Sequence, residues 1–229
     1  MALAAFDLDN TLLAGDSDYL WGQFLCEQGV VDAETYRRKN RQFYEQYKRG
    51  DLNIDEFLAF QLEPLARHDT DALLQWRDTF LTRSIDPIIL PAGRRLIKEH
   101  RNRGDDVVII TATNRFITAP IAERLGITDL LATEPELRDG RYTGRAQGVP
   151  CFQAGKVTRL NMWLREREQS LDGSWFYSDS QNDLPLLEAV DHPVAIDPDE
   201  ILERTARERQ WPVLTLRGGP EPKPMPEPL

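Results

Sequence analysis

The spacing of apolar positions changes character along this chain. Leu3 to Asp7 opens with a short apolar run that shows little alternation, the pattern of a strand covered on both faces. After Gly15 the spacing turns helical. Leu20, Trp21, Phe24 and Leu25 form one stripe, and Tyr36, Phe43, Tyr44 and Tyr47 form a second. Ile54, Phe57, Leu58, Leu62 and Leu65 make a third, and Leu73, Phe80 and Leu81 a fourth. Gly29, Gly50 and the stretch RHDTD separate the stripes, with Asp or Asn near the helix starts as caps. The pattern predicts an all-helical bundle over 17–85, inserted after the first strand.

From DPIILPAG onward, helical and buried-strand patterns alternate. AGRRLIKEHRNRG predicts a helix stopped by glycine, DDVVIITAT a strand, and NRFITAPIAERLG a helix that accommodates Pro120 by a kink or a late start. LLATEPEL followed by DGRYTG predicts a strand and hairpin turning at Asp139–Gly140. GKVTRLNMWLREREQ, SWFYSDS, NDLPLLEAV, HPVAIDP, PDEILERTARERQ and WPVLTL continue as helix, strand, short helix, strand, helix and strand. This order implies an α/β fold: a doubly wound parallel sheet, Rossmann-like, over 1–16 and 86–216, carrying the helical bundle as a cap. The Pro-rich tail, 217–229, is expected to be disordered.

Composition narrows the partners. With 229 residues and a net charge of −10, the chain argues against nucleic acid or an anionic membrane as partner, because both demand a positive surface. A phosphorylated substrate still fits, because local cations or a metal can overrule the net charge. Cys26 and Cys151 form no disulfide framework or metal spacing and read as packing residues in a reducing compartment. The start MALAAFDLDN has no basic leader pattern, and no apolar run has membrane-spanning length. A cytoplasmic location is the expectation.

In doubly wound sheets, ligands sit at the carboxyl ends of the strands, near the point where strand order reverses. Predicted strand ends bring Asp7 with Asp9, Thr111 and Asp179 to that edge. A carboxylate such as Asp7 can attack phosphorus to give an aspartyl phosphate. Asp9, two residues on, would face the same side and could serve as general acid and then base, with Thr11 tying the loop. Taken alone, DLDNT is equally an Asx-rich turn. Thr111 could donate to a phosphate oxygen or simply be a β-branched strand residue. Lys156 near a helix start would set a cation on the phosphate, although a lysine there more often faces solvent. Asp179 and Asp183 flank Asn182 in YSDSQNDLPLL, either as hard oxygen donors suited to Mg²⁺ or as helix caps and an acidic patch. In combination the plain readings weaken, because carboxylates crowded at one edge repel unless a divalent cation sits among them.

DLDNT, Thr111, Lys156 and SDSQND resemble, in order, the motifs of the haloacid dehalogenase superfamily over roughly residues 3–216. The helical insertion resembles the cap of its phosphoserine phosphatase-like branch, and Asp9 resembles the phosphatases within it. The resemblance implies a Mg²⁺-dependent phosphomonoesterase with Asp7 as nucleophile and Asp9 as acid/base. It further implies Thr111 and Lys156 as phosphate binders, with Asp7, the Asp9 carbonyl and Asp179 as metal ligands. Asn182 and Asp183 complete the site, Asp183 either ligating through water or orienting Lys156. Ser178 stands where many relatives have glycine, which implies a shifted loop with the metal retained.

A helical cap implies a small phosphorylated metabolite. Asp16 falls where the phosphoserine phosphatase pattern has an acid that receives the substrate ammonium. Phosphoserine and histidinol phosphate both satisfy that. The first also needs an arginine from among Arg37, Arg38, Arg41 and Arg49; the second favours Asp18, Trp21, Phe43 and Tyr44. Those aromatics otherwise read as bundle core. The alternatives are transfer to an alcohol acceptor instead of water, and a non-catalytic aspartate domain that senses phosphate. His68, His100 and His192 form no cluster and take no role.

Overall fold

Ala4, Ala5 and Phe6 are shut off from solvent on both faces, so β1 (Leu3–Phe6), a strand of four residues, can occupy the middle of a sheet. In this computed structural model, which describes residues 2–226, β1 is flanked by β2 (Asp106–Asn114) and β5 (Trp175–Ser178). Beyond them lie β3 (Asp129–Arg138), β4 (Arg141–Gln147), β6 (His192–Ile196), β7 (Val213–Thr215) and β8 (Lys223–Pro224). The order is β4-β3-β2-β1-β5-β6-β7-β8. All neighbours are parallel except the β3–β4 hairpin and the β7–β8 pair. Chain order runs outward from β1 in both directions, so the reversal falls between β1 and β5.

Successive residues of the buried strands feed two different cores. Phe6 and Ile109 pack with Ile97 of α5 (Pro91–Arg103) and Ile117 of α6 (Arg115–Arg124). Ala5 and Ile110 pack with Leu160 of α7 (Ala154–Glu166) and Leu202 of α9 (Glu200–Glu208) on the opposite face, where α8 (Leu184–Leu187) also lies. This is the alternation of strand side chains acting in a sheet that is apolar on both sides.

Between β1 and α5 the chain builds α1 (Ser17–Glu27), α2 (Ala33–Arg49), α3 (Ile54–Arg67) and α4 (Thr70–Phe80), the last running into a π-helical turn, Leu81–Ile85. Gly50 ends α2 in the left-handed region, φ 78°, where a side chain would be strained. The entering and leaving segments are stitched together, with Ala14 N–H donating to Ile88 O (2.8 Å) and Leu90 N–H to Leu12 O (3.0 Å). Trp21 of α1 meets Phe80 at 5.2 Å and Phe116 of α6 at 6.0 Å between ring centroids, so bundle and sheet share one apolar core. The β3–β4 hairpin braces the bundle from the side. Arg141 pairs with Asp69 at 2.9 Å, and a Cβ on Gly144 would approach that of Ala66 to 3.2 Å.

Two sequence expectations change. The tail is not structureless throughout: β8 pairs with β7, and Met225 N–H donates to Val213 O (2.9 Å). An edge strand leaves backbone groups unpaired, and proline is tolerated in the strand that covers them; residues 227–229 of the expected disordered tail lie outside the described residues. Thr111 is not the end of its strand, because β2 continues to Asn114 through an irregularity that re-aims the residues between them. Among the described residues, no helix is long and apolar enough to cross a membrane.

Candidate active site

Asp7 is the first residue past β1, held by its N–H to Tyr177 O at 2.9 Å, and it emerges at the carboxyl edge beside the strand-order reversal. Lys156, in the first turn of α7, is buried and places Nζ 2.7 Å from Asp7 Oδ1 and 2.7 Å from Asp183 Oδ2. Asp183 also accepts from Ser178 Oγ at 2.7 Å. The close approach that seats Lys156 requires glycine: a Cβ on Gly155 would lie 2.1 Å from Pro150 O. Burial disfavours the charge on Lys156, but Asp183 and Asp7 more than offset this and its pKa is raised. Burial pushes Asp7 up, Lys156 pulls it part of the way back, and Asp183 and Asp9 add to the rise, leaving it at about 7.

Asp9 does face the same pocket as Asp7. Its Oδ1 accepts from Ser17 N–H (2.7 Å) and its Oδ2 from Thr113 Oγ1 (2.8 Å). Burial raises its pKa to about 6, Asp16 adding to the shift and the Ser17 and Thr113 bonds opposing it. Asp16 caps α1, its Oδ1 accepting from Tyr19 N–H at 2.8 Å, and it lines the pocket next to Asp18.

Several expected roles are redistributed. Thr11 is fully buried and donates to Asp179 Oδ1 (3.1 Å), tying the loop to that carboxylate. Thr111 lines the pocket, and its Oγ1 accepts from Thr113 N–H at 3.2 Å. Asn182 takes a hydrogen bond from Gln153 (3.0 Å) and gives one to Tyr47 O (2.9 Å), fastening the end of α2 to the sheet edge. Gln181 makes a parallel latch to Lys48 O at 2.6 Å. Gln153 holds φ 47° and ψ −124°, a sparsely populated conformation whose strain its side-chain bond helps to offset. Sequence reading missed Thr113, which lines the pocket with Thr111 from within the irregular end of β2.

Asp179 is raised well above the usual carboxylate range by burial and by the charges of Asp7 and Asp183. Asp7 and Asp179 each engage Oδ1 in the bonds above, leaving Oδ2 for another partner. These two carboxylates and the Asp9 main-chain carbonyl are hard oxygen donors that could hold a cation. Asp183 accepts from Lys156 and Ser178 through Oδ2. Among the described residues, no three His, Cys, Asp or Glu side chains gather into a ready metal cluster. The donor set suits an ion that keeps several waters or takes oxygens from a ligand.

Above Asp7 the pocket is closed by Asp16, Asp18, Tyr19, Phe43, Tyr44 and Phe57, among others. Phe43 and Tyr44 therefore line the pocket instead of filling the bundle core, whereas Trp21 is core. Among the described residues, no Arg, Lys or His lines the pocket. Arg37, Arg38 and Arg41 border a separate outer groove, and Arg49 pairs with Asp51 at 3.3 Å in solvent. His100 is buried elsewhere, bonded to Asp105 and Tyr177.

A family model described as haloacid dehalogenase-like hydrolase matches residues 4–188. The chain is 46% identical over 219 residues to a histidinol-phosphatase of Neisseria meningitidis serogroup C (strain 8013), covering 94% of this chain and 99% of that one. It is 34% identical over 222 residues to a phosphoserine phosphatase of Mycobacterium tuberculosis (strain ATCC 25618 / H37Rv), covering 94% and 71% respectively. A crystal structure of a protein with unknown function from Bordetella pertussis Tohama I superposes with a TM-score of 0.88 at 44% identity, over 94% of this chain and 98% of that chain.

Proposed function

The chain belongs to the haloacid dehalogenase-like hydrolases and is a phosphatase of that family, and we propose that its substrate is histidinol phosphate, hydrolysed with Mg²⁺ through a phosphorylated Asp7. The observation that carries the substrate reading is the chemistry of the pocket wall. Asp16, Asp18 and aromatic rings surround the space above Asp7, and no cationic side chain lines it among the described residues. A substrate with a carboxylate, such as phosphoserine, would meet only like charge there. One with an ammonium and a planar heterocycle, and no carboxylate, is complementary. The name of the Neisseria relative supports the same choice.

In the first step an oxygen of Asp7 attacks phosphorus, the new O–P bond forming as the P–O bond to the substrate alcohol breaks. Asp9, whose carboxyl is held by burial above the usual carboxylate range, donates a proton to the departing alkoxide. In the second step Asp9 takes a proton from water as the water oxygen attacks phosphorus, releasing phosphate and restoring Asp7. Lys156 stays fixed between Asp7 and Asp183, offering positive charge where phosphoryl oxygens arrive. Asp16 receives the substrate ammonium. When bound by Asp7, Asp179 and the Asp9 carbonyl, Mg²⁺ supplies charge neutralisation of the phosphoryl group. The acid Asp9 and the enclosed pocket favour hydrolysis over a sensing role, which needs neither.

The test is initial-rate kinetics with Mg²⁺ on histidinol phosphate, phosphoserine and phosphoethanolamine. The expected order of kcat/KM places histidinol phosphate at least about tenfold above phosphoserine, the discrimination of roughly one misplaced charge. A preference for phosphoserine would overturn the reading.

A further inference from the structure

One carboxylate in the pocket has an oxygen with no partner among the described residues. Asp18, in the first turn of α1, is 5% exposed, lines the pocket, and has no hydrogen-bond partner for its Oδ1 among the described residues. The other acids nearby are all engaged. Asp7 and Asp183 share Lys156, Asp9 accepts from Ser17 and Thr113, Asp16 caps Tyr19, and Asp179 holds Thr11. The polar side chains that α2 and α3 contribute here bond to one another or to the backbone, while Ser17 Oγ and Trp21 Nε1 in α1 are, like Asp18 Oδ1, buried without a partner among the described residues. Tyr36 donates to Gln61 (3.3 Å), Gln61 to Asn40 (3.3 Å), and Asn40 to Tyr19 O (3.1 Å). A buried carboxylate oxygen left unpaired at the wall of a pocket is costly to the folded chain and calls for a partner from outside it.

We propose that Asp18 determines specificity by accepting a hydrogen bond from the imidazole N–H of the substrate. The inference rests on the histidinol phosphate reading and deepens it. Asp16 has already been assigned the ammonium, and its Oδ1 is committed to the helix cap. A second acid with a free oxygen matches a second donor on the same molecule, and imidazole is such a donor at any protonation state. Phe43 and Tyr44 line the same pocket with faces suited to a planar ring. The same carboxylate discourages phosphoserine, because it would set two like charges together out of water. Burial, with Asp16 and Asp9 adding to it, raises Asp18 well above the ordinary carboxylate range, consistent with an acid that lacks a counter-charge while the pocket holds no substrate.

The experiment compares wild type with Asp18→Asn and Asp18→Ala on histidinol phosphate, phosphoethanolamine and p-nitrophenyl phosphate, all with Mg²⁺. Phosphoethanolamine keeps the ammonium and lacks the ring. The expected result is a loss of about 10- to 100-fold in kcat/KM on histidinol phosphate, mostly in KM and larger for alanine. The other two substrates should change by less than about threefold, with no fall in melting temperature for the asparagine variant. Equal losses on all three substrates would mark Asp18 as merely structural and overturn the inference. So would unchanged histidinol phosphate kinetics. Wild-type enzyme that hydrolyses the other two substrates but not histidinol phosphate would overturn the substrate reading, and this inference with it.

Discussion

Lys156 Nζ lies 2.7 Å from Asp7 Oδ1, and both side chains are buried. A residue two-thirds of the way along the chain thereby meets the first residue beyond the first strand. The ammonium is tied equally to Asp183, so it cannot swing away when a phosphate arrives. Fixed charges of this kind need no reorganisation during the reaction, which is where much enzymatic rate enhancement originates.

Asp7→Asn should leave the fold intact and remove turnover, because the amide keeps an acceptor for Lys156 yet cannot form the acyl phosphate. The expected rate is below about one thousandth of wild type. Circular dichroism and steady-state kinetics check this; a folded variant retaining a few per cent of the rate would exclude Asp7 as nucleophile.

Asp9→Asn should slow both chemical steps, with a penalty that depends on the leaving group. An alkyl alcohol such as histidinol would leave as a poor alkoxide and need the proton, whereas p-nitrophenolate does not. Roughly 10²- to 10⁴-fold loss is expected for the alkyl substrate, and clearly less in the first step with p-nitrophenyl phosphate. Rapid-quench measurement of that step, showing equal slowing for both, would remove the acid role.

Stability should depend on pH and Mg²⁺ together. Asp7 and Asp9 are raised from an ordinary value of 3.8 to about 7 and about 6, so the folded chain holds protons that the unfolded chain has released across that window. Their contribution is fully present below 3.8 and is lost as pH rises through the folded values. Mg²⁺ competes with those protons, so the melting-temperature gain on adding it should be larger at pH 8 than at pH 5. A gain independent of pH would contradict the carboxylate donor set.

Ser178→Ala should destabilise the protein and loosen Asp183. Ser178 Oγ donates to Asp183 Oδ2 at 2.7 Å with both groups buried, and a bond to a charged acceptor is worth about 1.5–3 kcal/mol. Denaturant unfolding should report a loss of that order, with a several-fold fall in kcat through the less firmly held Lys156. An unchanged midpoint would show that Ser178 does not support the cluster.

The short tight bonds of the site join residues far apart in the chain, and this separates what each level of description could reveal. Apolar spacing marked the strands and the four inserted helices, because burial on both faces or on one stripe leaves a local periodic record. The motif residues marked the reacting edge, since a strand end is also a local signal. Thr113 and Gln153 left no such record: each matters through a partner distant in sequence.

The same holds for the pocket wall. Tyr44 and Trp21 carry equivalent helical signals, yet packing sends one to the pocket and the other to the core. The arginines that sequence offered for a substrate carboxylate point outward, which no periodicity in a charged amphipathic helix could decide. The sequence by itself determined the sheet, the inserted helices and the acids at the strand tips, because these follow from residues near one another along the chain. Only the tertiary structure decided which groups close over Asp7 and which acid is left without a partner among the described residues, because that depends on how α1, α2 and α3 turn against the sheet edge.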